Sequence, residues 1–334
     1  MTDPFIEQPA AWPTDRFRPA DTIARVPKLF KIVIKISPSA VWGSLGCSVY
    51  WVGKVEPVTG ALLVDASELT RRVRNKARQL GARLVGITDV DRLAAAPKGH
   101  RPEDFLPGAR SVIVLGLPIL PIYARYPEFM RGSDKVPEEL PLKPKEFSEE
   151  TFRPRLAIAD HVYRRCAYEL LNLELQRISF YAALQLEELG YRCIYLPTSY
   201  GSTFSWNMSN PRPNYMGPFS FRHAAVAAGL GELGLNNLLL TPQYGPLQRL
   251  VAVITTAELK ADALKHRRLC LAEKCRLCIE ACPGQCFGET VQYDCGGVPV
   301  RVAAMDKSRC SVPCTRQCLF KCPLGLKGTA NSYQ

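Results

Sequence analysis

Two cysteine-rich runs near the C-terminus constrain this chain more than any other feature. Residues 270–286 read CLAEKCRLCIEACPGQC, and residues 310–323 read CSVPCTRQCLFKCP. Ten of the thirteen cysteines fall between 270 and 322; only Cys47, Cys166 and Cys193 come earlier. That shift marks a C-terminal module starting near residue 260. Each run ends in C-x3-C-P. Iron–sulfur clusters are held by four thiolates each, and in two-cluster ferredoxins the cysteine before proline ligates the other cluster. On that logic Cys270, Cys275, Cys278 and Cys322 hold one 4Fe–4S cluster. Cys310, Cys314, Cys318 and Cys282 hold a second, with Cys286 and Cys295 left over. The first gap of four residues and the uniform gaps of three in the second run depart from the usual spacing, which bears most on Cys270 and Cys310. Structural zinc is the rival reading. It usually shows two C-x2-C pairs or mixed Cys and His ligands. Here there is one such pair, and His266 is the one nearby histidine.

The rest of the composition bounds the setting. At 334 residues the length suggests about two domains. The net charge of +12 could serve an acidic partner, a nucleic acid or neither. Residues 260–334 hold twelve Lys/Arg against six Asp/Glu, an excess that would offset the negative charge of all-thiolate clusters. The N-terminal stretch MTDPFIEQPAAWPTDRF has no apolar signal core and no twin-arginine signal. The uncharged runs Ile36–Gly53 and Ser111–Ala124 are broken by serines, glycines and prolines. A membrane span needs about 20 mostly apolar residues. The expectation is a cytoplasmic protein with no membrane partner, where thiols stay reduced.

Residues 61–259 read as an α/β domain, with 1–60 as an extension and 260–334 as the cysteine module. ELTRRVRNKARQLGA (68–82) has a helical pattern with Ser67 as N-cap. ARLVGITDV and ARSVIVLGLPI read as buried strands, and YRCIYLP and QRLVAVITTAEL as two more. Residues 156–189 form a long helix stopped by Gly190. Residues 131–150, charged and proline-rich, read as a surface loop. Cys193–Pro211 carries no charge and mixes aromatic with hydroxyl and amide side chains. That suits the wall of a large apolar ligand, or an ordinary packed loop. Gly229, Gly231 and Gly234 match G-x-G-x-x-G, but HAAVAA before them is helix-like and no strand leads in. The dinucleotide reading therefore fails, and the glycines serve a tight turn or a close backbone approach to something bulky.

RHAAVAAGLGELGLNNLLLTPQYGPLQRLVAVITTAEL, followed by the two C-P runs, resembles the reductive dehalogenase and epoxyqueuosine reductase superfamily over roughly residues 61–325. The resemblance implies a nitroreductase-like α/β core that binds cobalamin base-off, then a ferredoxin-like domain with two 4Fe–4S clusters. It implies cobalamin contacts at Gly229, Gly231, Gly234, Leu240, Thr241, Pro242, Tyr244 and Gly245. It also implies reduced ferredoxin or flavodoxin as electron donor, and cobalt that reduces a small organic substrate. Epoxyqueuosine in tRNA is the alternative substrate, and an iron–sulfur electron-transfer protein without cobalamin is a third reading. The GELG form is similar to the dehalogenases, and the Asp-Tyr-His motif of the tRNA enzymes would fall at Cys166-Ala167-Tyr168, where the acid is missing. The dehalogenases use a tyrosine proton donor beside a cation. Tyr163 and Tyr168 are the candidates, with Arg212 and Arg222 as candidate cations.

Overall fold

A computed structural model describes residues 65–123, 154–198, 217–266, 268–272, 274–306, 309–311 and 316–326. All lie within one compact unit of the chain, Thr59–Gln334. The extension at 1–60, the loop at 131–150, Arg212, Cys314 and most of the uncharged run after Thr198 fall outside the described residues.

The apolar runs become a four-stranded sheet because they can be covered on both faces. In chain order its strands are β1 (Leu84–Asp89), β2 (Ser111–Pro118), β3 (Cys193–Tyr195) and β6 (Gln248–Thr255). They are arranged β1-β2-β6-β3, and every pairing is antiparallel. Side chains alternate across a strand. In β2, Ile113 and Leu115 therefore face one layer while Val112 and Val114 face the other.

The first layer is helical. Helix α1 (Ala66–Gln79) sends Leu69, Val73 and Ala77 onto the sheet. Its cap is Asp65, which accepts a hydrogen bond from the Ser67 amide at 3.1 Å, so the helix starts two residues before the expected position. A short helix, α2, spans Pro102–Phe105. The long helical segment is α3 (Pro154–Val162), a π-helical stretch (Tyr163–Glu169) and α4 (Leu170–Glu187), with Gly190 just beyond at φ +87°. Leu175, Ile178 and Leu186 of α4 join the α1 layer.

The second layer is built from α5 (Phe221–Ala227), whose Ala224–Ala227 run packs tightly because its side chains are small. It is completed by a hairpin that the sequence reading does not include. Strands β7 (Phe287–Cys295) and β8 (Val298–Met305) pair across Gly296 and Gly297, both at positive φ. Such a two-residue turn suits the strand twist. Val298, Val300 and Val302 pack in the same cluster as the α5 alanines. The hairpin of the cysteine-rich region thereby shares a core with the larger sheet. Among the described residues no helix is long and apolar enough to cross a membrane.

Candidate functional site: two thiol groups and an adjoining cleft

The segment between α5 and β6 holds the cysteine runs in place. It forms a small ribbon of β4 (Glu232–Leu233) and β5 (Leu239–Leu240). A Cβ on Gly231 would sit 1.9 Å from the Leu240 carbonyl oxygen, and one on Gly229 would sit 2.2 Å from the Ala263 oxygen. At these points the glycines thus admit the chain's own backbone. Gly245, at φ +54°, lies against Leu324 and Gly325, immediately after the second C-P pair. Leu240 and Thr241 are buried, and Thr241 receives the Tyr244 amide at 3.2 Å. Pro242 is exposed.

Two side chains and one backbone amide of this segment reach the cysteines. The Glu232 carboxylate accepts the Leu269 amide at 2.6 Å and the Cys270 amide at 2.5 Å. The Leu235 amide points at the Cys270 Sγ at 3.4 Å. Asn236 donates to the Cys318 carbonyl at 2.7 Å. The GELGLNN sequence is therefore a clamp on both runs.

The thiols fall into two groups. Cys278 is pushed up to about 11, first by burial and then by the Cys322, Cys270 and Cys275 thiols. Burial also raises Cys322, with Cys270 and Cys275 adding to it. A second group of Cys282, Cys286, Cys310 and Cys318 lines one small cleft. The chain thus brings Cys322 of the second run to the first, and Cys282 of the first run to the second. Among the described residues no three Cys, His, Asp or Glu side chains converge on a single ion. A four-iron cube holds its thiolates on separate irons, so its ligands need not converge on one point. Cys295 is a core residue, buried among the α5 and β8 side chains and pushed up to about 11 by that burial.

A cavity of about 740 Å³ opens beside the second group, lined by Tyr163, Tyr168, Arg249, Arg316, Cys310 and Cys318, among others. Five residues of α-helix turn a side chain by 500°, leaving it about 140° off. The π-helical stretch bonds five residues apart, as the Leu170 amide does to the Arg165 carbonyl, and so lets both tyrosines line one cavity. The Arg249 guanidinium lies over the Tyr168 ring at 4.2 Å, and its Nε donates to Asn172 at 3.0 Å. Arg316 lies over the Tyr163 ring at 4.3 Å and pairs with Asp160.

Among the described residues, the cations stacked on these tyrosine rings are Arg249 and Arg316. Arg222 instead donates to the Asn237 carbonyl and lines a different cavity of about 540 Å³ with His100, His223 and Tyr293. A cleft of about 150 Å³ lined by both Arg222 and Arg249 lies between the two. Arg249 sits in a sheet strand 81 positions from Tyr168, and only the folded register reveals the pair.

No protein-family model matches the chain. Over 64 residues it is 48% identical to tetrachloroethene reductive dehalogenases of Desulfitobacterium hafniense and Dehalobacter restrictus, covering 18% of this chain and 11% of theirs. Over 200 residues it is 26% identical to an epoxyqueuosine reductase of Synechocystis, covering 60% of this chain and 53% of that one. A solved catabolic reductive dehalogenase in complex with 3-bromo-4-hydroxybenzoic acid has the same fold over 80% of this chain and 33% of its own, with a TM-score of 0.52 and 17% identity. The chain is thus similar in sequence to reductive dehalogenases and to an epoxyqueuosine reductase. The short, strong match is to the dehalogenases and the longer, weaker one to the epoxyqueuosine reductase.

Two outcomes test this geometry. Glu232→Ala removes a charged acceptor from two amides and should lower stability by about 2 kcal/mol, with Glu232→Gln losing less, as read by urea unfolding. His223 is held neutral near a pKa of about 4, chiefly by burial and then by Arg222, between Ser220 at 2.5 Å and the Tyr293 hydroxyl at 2.8 Å. The unfolded chain takes up that proton near pH 6.5, before the folded one does. Stability should therefore fall on acidification from about pH 6.5 to about 4, by on the order of 3 kcal/mol, and His223→Gln should remove that slope.

Proposed function

We propose that this chain is an iron–sulfur oxidoreductase that carries two 4Fe–4S clusters and cobalamin, and that it reduces a small organic molecule. The observation that carries the reading is the crossed grouping of thiols, Cys322 with the first run and Cys282 with the second. The donor sets fit such clusters chemically. They are thiols, they are partly or fully buried, and a backbone amide already points at one sulfur. Amide donors and burial are among the means by which a protein sets cluster potential.

In this reading Cys270, Cys275, Cys278 and Cys322 hold the first cluster, and Cys282, Cys310 and Cys318 contribute to the second. The clusters supply single electrons and bound cobalamin supplies a strongly reducing cobalt. The residues around the 740 Å³ cavity do the remaining work. Its volume lies within the range of organic-ligand pockets, and it borders the second thiol group. Tyr168 is the proton donor. A phenol titrates near pH 10, so it gives up a proton efficiently only when the phenolate is favoured. Arg249 over its ring supplies a positive charge for that purpose, and Asn172 fixes the guanidinium. Tyr163 and Arg316 form the matching pair nearer the cysteines. Reduced ferredoxin or flavodoxin is the proposed electron donor, met by the basic balance of residues 260–334.

Anaerobically purified protein, made with cobalamin supplied, should contain about eight irons and about one cobalt per chain. Zinc in place of iron would overturn the reading. Iron without cobalt would leave an electron-transfer protein. The 200-residue similarity to epoxyqueuosine reductase favours a second substrate, a modified tRNA. If that reading holds, a tRNA stem-loop should bind at low salt and weaken steeply as salt rises; no binding at low salt removes it.

A further inference from the structure

The cysteine run ends in CPGQC, and its last thiol has no place in a two-times-four ligand count. The fold gives it one. The chain turns sharply after Cys282, with the Gln285 amide donating to the Cys282 carbonyl at 3.0 Å. Gln285 takes a left-handed conformation at φ +44°, which is costly for a residue with a side chain. Gly284 lies so close to the Arg309 carbonyl that a Cβ would stand 2.4 Å from its oxygen. This wound turn brings the Cys286 Sγ to 3.3 Å from the Cys282 Sγ. Cys286 is 2% exposed, and the Asp306 amide anchors its carbonyl at 2.8 Å just where β7 begins. The cleft it enters is lined by Cys282, Cys310 and Cys318 as well. Cys295, the other uncounted thiol, packs in the core elsewhere, with its Sγ 3.6 Å from the His223 carbonyl.

We infer that Cys286 is a ligand of the second iron–sulfur cluster, completing a set with Cys282, Cys310 and Cys318. The inference rests on the two-cluster reading above. The Cys282 and Cys286 sulfurs lie within hydrogen-bonding distance of each other. Metal ligation needs thiolates, so both thiols would give up their protons to hold a cluster. Cys314 is then a spare thiol. The ligand set follows the CPGQC turn and does not follow the uniform spacing of the second run.

The test compares Cys286→Ala with Cys314→Ala, each purified anaerobically and assayed for iron, acid-labile sulfide and the EPR spectrum of the reduced protein. Wild type should hold about eight irons, Cys286→Ala about four with one cluster signal gone, and Cys314→Ala about eight. The four irons retained in Cys286→Ala would report an intact first cluster, and so an intact fold. If Cys286→Ala fails to fold, Cys314→Ala decides alone: about eight irons with both signals unchanged supports the assignment, and about four overturns it. Eight irons and an unshifted spectrum in Cys286→Ala also overturn it. A wild-type chain without iron would instead sink the two-cluster reading itself.

Discussion

The arrangement depends on one carboxylate. Glu232 takes two consecutive amides, Leu269 and Cys270, at the point where the chain leaves the sheet for the cysteine-rich region. A charged acceptor shared by two backbone donors is among the stronger hydrogen-bonding arrangements available to a protein. It can form only because Gly231 allows the ribbon to close on the Leu240 carbonyl. Asn236 and Gly245 extend the same clamp to the second run, through Cys318 and through the turn after Cys322. Two stretches some forty residues apart are thus referenced to a single rigid ribbon. Thiols that must be set against one another to a fraction of an ångström need such a common frame.

How much of this could be read from the residues varies with the range of the interaction. The long apolar runs at 84–89, 111–118 and 248–255 are strands because both sheet faces are covered, and continuous hydrophobicity announces that locally. The crossing of cysteines between groups is also readable, because a proline after the fourth cysteine turns the chain away from the first three. The β7–β8 hairpin is harder to see. Strand β7 is exposed along nearly its whole length and lacks alternation, so the signal rests on Val298, Val300 and Val302 with the paired glycines. The helix start at Asp65 is missed for a smaller reason: Ser67 is an equally good capping type, and only geometry chooses between them.

The site's electrostatic partners were the least legible. Arg222 stands close in sequence to the uncharged run and is a natural choice for a catalytic cation, but α5 carries it to another cavity, where it neighbours His223. Arg249 is the second residue of its strand, between Gln248 and the apolar run from Leu250, and reads as a polar lead-in to a buried strand. Strand β6 instead brings it across to the long helical segment, where Asn172 of α4 and Tyr168 of the π-helical stretch receive it. No local pattern encodes that meeting, because it depends on the order of strands in the sheet.

The widened turn at Tyr163–Glu169 has a consequence for what changes the chain can tolerate. It amounts to one residue more than regular winding would use. Deleting any single residue there would let the long helix relax into ordinary winding, a gain in local regularity. Made between the two tyrosines, the deletion would leave them four residues apart, a turn of about 400° that sets them only about 40° off and still on the cleft. Ordinary winding without the deletion would instead set them about 140° apart. The irregular winding therefore absorbs one surplus residue and keeps the two halves of one rod in phase.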